Sequence, residues 1–143
     1  MPSFSRQRIL PALARLESSQ WVRKVARLAG APCAVATKER FSDRDVRVHL
    51  PEIDRPQGVT PVFVDDIVST GNSLSQTIQI LAEQGWESPI CVAAHGIFAE
   101  GAFEKLMAVG AKEIVTSDSV PHHSNRIDLA PLLASAILAD QDR

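Results

Sequence analysis

With 143 residues, fifteen Lys or Arg and seventeen Asp or Glu, the chain is long enough for one domain with a real core and carries a net charge of −2. That balance gives no overall field of the kind that marks a nucleic-acid or membrane-surface binder, so any binding must be local. Cys33 and Cys91 each lie in an apolar segment with no second ligand at short spacing, which argues against a disulfide framework or a metal pair and for buried thiols in a reducing compartment.

The opening "MPSFSRQRILPALARL" lacks the uninterrupted apolar core of a secretion signal. Arg6, Arg8 and Arg15 precede the first acid, Glu17, a pattern that an organelle transit peptide shares; cytoplasm is the expected location. No apolar stretch approaches the roughly 20 residues that span a bilayer. Two prolines and scattered arginines make residues 1–16 an expected N-terminal arm, with a short helix over "ALARL", ahead of a domain over residues 17–143.

Trp21, Val22, Val25, Ala26, Leu28 and Ala29 recur at helical spacing and stop at Gly30, after which "APCAVAT" reads as a buried strand. Residues 37–58 are dense in charge, with an alternating piece at Val46, Val48 and Leu50, and are expected to form an exposed hairpin or flag. "PVFVD" is the next strand, predicted to end at Val64. A helix follows from Ser73, where Gln76 three residues on completes a capping-box pattern and Leu74, Ile78, Leu81 and Ala82 form one apolar face. It stops near Gly85 and leads to the strand "PICVAAH". Ala102, Phe103, Leu106 and Met107 mark a third helix ended by Gly110, then come the strand "EIVTS" and a closing helix over "APLLASAIL". Continuous apolar strands alternating with helices predict an α/β fold, a mostly parallel sheet covered by helices on both faces.

One stretch carries chemistry. In "VFVDDIVSTGNSL" two acids follow an apolar strand, and Ser69 to Ser73 lead into a helix, which is where open parallel sheets bind ligands. Gly71 permits a left-handed backbone, and Ser69, Thr70, Asn72 and Ser73 set short polar groups beside helix-terminal N–H donors, a nest suited to phosphate. Asp65 and Asp66 would repel that phosphate, so they should face vicinal hydroxyls or a hydrated Mg²⁺. A sugar phosphate satisfies both ends; a polar turn capping a helix beside solvated acids satisfies the same residues. The loop is not a Walker A motif, which needs a Gly-Lys-Ser/Thr ending, nor a dinucleotide fingerprint, which needs more glycines.

The pattern of apolar strand, two acids, two small or apolar residues and Ser-Thr-Gly-Asn-Ser resembles the ribose-phosphate signature of type I phosphoribosyltransferases. "SSQWVRKVARLAGAP", "TKERFSDRDVRV", "AAHGIFAEGAFEKL", "EIVTSDSVP" and "IDLAPLLASAI" resemble, in order, pieces of the C-terminal half of ribose-phosphate pyrophosphokinases. The resemblance implies the phosphoribosyltransferase type I fold with a protruding flag, and a family reaction in which the diphosphate of ATP passes to the 1-hydroxyl of ribose 5-phosphate with Mg²⁺, giving AMP and phosphoribosyl pyrophosphate. By resemblance, Asp65 and Asp66 hold the ribose hydroxyls, and Ser69, Thr70, Gly71, Asn72 and Ser73 cradle the 5-phosphate. Lys38 and Arg40, in the Lys-x-Arg of "TKER", would act as the flag's catalytic cations on the transferring phosphates; read without the resemblance they are a solvated hairpin.

His95 is read as a structural hydrogen-bonding residue, and His122 and His123 as a solvated or interface loop rather than a metal site; no metal ligand is assigned. The family's Pro-Asp loop before the first helix has no counterpart here, since "ILPALARL" stands in its place and no Asp precedes Asp43. The ribose-phosphate half of the site is thus expected without the ATP half. Two classes of function stay open: an enzyme, either a pyrophosphokinase aided by another chain or a phosphoribosyltransferase, and a catalytically incompetent binding or regulatory module. The isolated chain is expected to bind ribose 5-phosphate or phosphoribosyl pyrophosphate, to need a partner for ATP, and to form a homo-oligomer or associate with a full-length synthetase.

Overall fold

Alternation of apolar strands with one-faced helices gives one seven-stranded sheet of order β3-β2-β1-β4-β5-β6-β7 in the computed structural model, which describes residues 9–15, 19–40, 46–49 and 58–141. The elements are β1 (Ile9–Arg15), α1 (Ser19–Ala29), β2 (Cys33–Arg40), β3 (Val46–His49), β4 (Thr60–Val68), α2 (Asn72–Glu83), β5 (Ile90–Gly96), α3 (Ala102–Ala108), β6 (Glu113–Ser117), β7 (Asn125–Ile127) and α4 (Ala130–Gln141). Every strand pair is parallel except β2 with β3, which run antiparallel from Thr37 opposite His49 to Arg40 opposite Val46. The expected mostly parallel α/β sheet with helices on both faces is therefore present. Of the expected flag, the structure describes this antiparallel pair; residues 41–45 and 50–57 lie outside the described residues.

Period-two alternation in β4 and β5 builds two cores. Phe63, Cys91 and Ala93 meet Leu74, Ile78 and Leu81 of α2 and Leu106 of α3 on one face. Val64 meets Val22 and Ala26 of α1 on the other, with Val62 and Val92 packed beside them. Covering both faces is what lets the central strands be apolar throughout.

The N-terminal segment departs from expectation. Residues 9–15, read as part of an arm with a helix over "ALARL", form β1 at the middle of the sheet, pairing with β2 on one side and β4 on the other. Pro11 masks this strand in the sequence, because it has no N–H to donate and ordinarily argues against a central strand. The β1–β4 register shifts between Ile9 and Ala12, the interval that holds Pro11, so the ladder accommodates it as an irregularity.

Two further boundaries move. β4 continues through both acids to Val68, because Asp65, Ile67 and Val68 still pair with Ala93, His95 and Gly96 of β5. The capping box at Ser73 does not form: α2 begins at Asn72, preceded by Gly71 in the left-handed conformation (φ 71°, ψ 9°) and with no side-chain cap. The closing helix α4 is present and starts where the Asp118 and Asp128 carboxylates accept the N–H groups of Leu129 and Ala130. It buries none of its residues, leaving Leu132 67% and Ile137 62% exposed.

Candidate functional site

Chain direction in the sheet reverses between β1 and β4. From β1 the chain moves outward through α1 to β2; from β4 it moves the other way through β5, β6 and β7. Such a switch point opens a crevice at the carboxyl ends of the strands. Here β4 ends in the two acids, and a cavity of about 310 Å³ is lined by the unbroken run from Asp65 to Leu74.

Each end of that run is shaped by local hydrogen bonding. Asp65 is only 3% exposed, and its Oδ1 accepts the Asp66 N–H at 2.9 Å. Asp66 is exposed, and its Oδ1 accepts the Ile67 N–H at 2.8 Å. Each carboxylate thus has one oxygen on the N–H of the next residue, which helps to fix the side chain's orientation. The chain leaves β4 at Val68, whose carbonyl accepts the N–H groups of both Ile97 and Phe98 at 3.0 and 3.1 Å. Those two bonds clamp the start of the loop against the end of β5.

Ser69 and Thr70 then lead to Gly71, whose carbonyl accepts the Ser75 N–H at 2.8 Å and opens α2. The left-handed turn at Gly71 aims the first N–H groups of a twelve-residue helix toward the cavity, with the positive end of its dipole behind them. A carboxylate pair at one end and a helix N-terminus at the other suit a ligand with hydroxyls on one side and an anionic group on the other. All seven residues of the predicted sugar-phosphate set, Asp65, Asp66, Ser69, Thr70, Gly71, Asn72 and Ser73, line this one cavity.

Lys38 and Arg40 are not brought into it by anything the structure describes. Their backbones lie in β2, opposite Val48 and Val46, and β1 separates β2 from β4; their side chains lie outside the described residues. His95, at the end of β5, bonds through Nδ1 to Ser119 Oγ at 2.7 Å, and Ser119 Oγ in turn donates to the Ala94 carbonyl at 3.2 Å. That is the hydrogen-bonding role expected of it.

The pair His122 and His123, read as a solvated or interface loop, is split: His123 is exposed, whereas His122 is half-buried beside two phenyl rings. The His122 ring lies 4.5 Å from Phe98 and 5.0 Å from Phe103, and its Nδ1 meets Ser124 Oγ at 2.8 Å. Burial and the neighbouring His123 lower its pKa, with Glu104 opposing. Among the described residues no group of three His, Cys, Asp or Glu side chains is placed to hold a metal. The sequence reading missed Lys105, whose Nζ donates to Asn72 Oδ1 across thirty-three residues of chain, and Leu106, which packs under Gly71. No local signal marks either contact, because both depend on how α3 docks beside α2.

A model of the phosphoribosyl transferase domain matches residues 16–123, and the chain belongs to that family. Among its curated relatives, the ribose-phosphate pyrophosphokinase of Sulfurisphaera tokodaii is 36% identical over 120 residues, which is 80% of this chain and 41% of the relative. That of Bifidobacterium longum is 33% identical over 130 residues, 85% of this chain and 37% of the relative. The chain thus spans about two fifths of the length of these relatives. Among solved structures, the phosphoribosylpyrophosphate synthetase from Mycobacterium smegmatis superposes with a TM-score of 0.68 at 25% identity, over 95% of this chain and 45% of that one. An adenine phosphoribosyl transferase from Trypanosoma brucei, solved with AMP, pyrophosphate and ribose-5-phosphate, gives a TM-score of 0.61 over 94% of this chain and 70% of its own. At 13% identity that second likeness is one of fold.

Proposed function

We propose that this chain is the sugar-phosphate-binding domain of a ribose-phosphate diphosphokinase, taking ribose 5-phosphate or its 1-diphosphate in the cavity between Asp65 and Leu74. The observation that carries the reading is the two-ended cavity: orienting carboxylates at the strand end and a left-handed Gly71 turn opening α2. Asp65 and Asp66 accept the ribose hydroxyls, and the loop from Ser69 to Ser73 holds the 5-phosphate. The names of the relatives agree with this ligand.

In the family reaction, diphosphate passes from ATP to the 1-hydroxyl of the bound sugar. The chain's part is positioning: a sugar held at both ends presents its 1-hydroxyl in one place, and Lys38 and Arg40 on the β2–β3 pair supply cations for the transferring phosphates. A Mg²⁺ ion would supply charge neutralisation on those phosphates when bound. Asp65 and Asp66 offer hard oxygen ligands, and Mg²⁺ commonly sits on one or two carboxylates plus substrate phosphates, so the donor set fits an ion that arrives with the substrate. ATP needs residues from a partner, because the stretch between β1 and α1 contains Glu17 and no Pro-Asp.

Among the described residues no helix is long and apolar enough to cross a membrane. We place the protein in the cytoplasm, as a homo-oligomer or in association with a full-length synthetase; the uncovered apolar α4 supports such an assembly. Calorimetric titration with ribose 5-phosphate, then with ATP, each with Mg²⁺, tests the reading. Sugar-phosphate binding that weakens at least tenfold in Asp65→Asn/Asp66→Asn supports it; unchanged affinity in that double variant would rule out the hydroxyl contacts. Turnover by the purified chain alone would show that ATP needs no partner.

A further inference from the structure

No residue from Asp65 to Leu74 is a Lys or Arg, although the ligand proposed for the cavity they line brings a phosphate. We propose that Lys105, on α3, is a positioning residue for the phosphate end of that cavity: it turns the Asn72 amide toward the phosphate and adds positive charge behind it. The inference rests on the sugar-phosphate reading above.

Lys105 Nζ contacts Asn72 Oδ1. An ammonium group only donates, so the Asn72 atom facing it is the oxygen, and the amide's two N–H donors point away from Lys105. Asn72 is the first residue of α2 and lines the cavity, so those donors belong to the surface where the 5-phosphate is proposed to sit. The anchor is firm on the α3 side. The next residue, Leu106, is fully buried, and its Cγ lies 3.3 Å from where a Cβ on Gly71 would be, so α3 is seated directly under the turn that opens the loop. Asn72 and Lys105 are both exposed, so neither is needed to fill the core and a role in binding separates from one in folding.

The test is calorimetric titration of the full chain with ribose 5-phosphate, comparing wild type, Lys105→Met, Lys105→Gln, Lys105→Arg, Asn72→Ala and Lys105→Met/Asn72→Ala. A charge-assisted contact of this kind predicts about tenfold weaker binding for Lys105→Met and Lys105→Gln. Lys105→Arg should restore most of the loss. The double variant should lose less than the sum of the two single losses, because Lys105 acts in part through Asn72. Wild-type affinity should also fall more steeply with salt than that of Lys105→Met. Equal affinity of wild type and Lys105→Met, additive losses in the double variant, or no rescue by Arg would each overturn the role of Lys105 while leaving sugar-phosphate binding intact. A wild-type chain that does not bind ribose 5-phosphate would overturn both.

Discussion

A Cβ placed on Gly71 would lie 3.3 Å from the Cγ of Leu106, so the turn that opens the binding loop rests directly on the core of α3. Gly71 also holds φ 71°, a conformation that costs an L-residue roughly 1–2 kcal/mol. Gly71→Ala therefore meets two penalties, one from the backbone and one from Leu106. Gly58, with φ 74° and nothing within 4 Å of its would-be Cβ, meets the first alone. We expect thermal or urea unfolding to show Gly71→Ala destabilised more than Gly58→Ala, and sugar-phosphate affinity lost in the former only. Equal destabilisation would mean that Leu106 gives way freely.

That contact also separates what the sequence disclosed from what it did not. "EIVTS" is β6 to the residue, and α1 stops at Ala29, one before Gly30, because runs of one periodicity bounded by a glycine are local signals. That the seven residues proposed to hold a sugar phosphate share one cavity is legible because they fall within a single short run, Asp65 to Ser73. β1 was hidden by Pro11, and β7, three residues reading Asn-Arg-Ile, has no apolar pattern to find. The extension of β4 through Asp65 and Asp66 depends on β5 lying alongside, and the docking of Lys105 on Asn72 depends on tertiary packing; neither is written in a window of neighbouring residues.

The two acids should separate geometry from charge. Asp66 Oδ1 accepts the Ile67 N–H, and an Asn side chain keeps that acceptor whereas Ala removes it. Asp66→Asn is expected to keep more of the wild-type stability than Asp66→Ala, which also loses this bond at a cost of about 1 kcal/mol. Both should bind ribose 5-phosphate more weakly. A full-affinity Asn variant in calorimetry would show that the hydroxyls do not use the Asp66 charge.

Thiol chemistry offers a check on the core. Cys91 is 2% exposed, and burial pushes its pKa up from 9.0 to about 12. Cys33 is half-buried, with burial raising its pKa and Arg23 lowering it. A thiol reagent at pH 8 should modify Cys33 in the native protein and reach Cys91 only on unfolding. The folded state holds the Cys91 proton more tightly than the unfolded one, so its contribution to stability is complete below pH 9.0 and declines as pH rises toward about 12. Cys91→Ala should show a flatter decline over that window in pH-dependent melts; an identical slope would mean that another group governs it.

The last helix makes the opposite claim about burial. Leu132, Leu133, Ile137 and Leu138 of α4 are all more than half exposed, and no residue of the helix is buried. Within one chain these side chains contribute little, so replacing Leu133 and Ile137 with Gln should shift intramolecular stability by no more than about 0.5 kcal/mol. The same change removes apolar surface of the kind that partners cover. Analytical ultracentrifugation across a concentration series should therefore show wild type forming larger species that the double variant forms less readily. A large drop in stability at concentrations where both are monomeric would instead place α4 against its own domain, and unchanged association would move the assembly surface elsewhere.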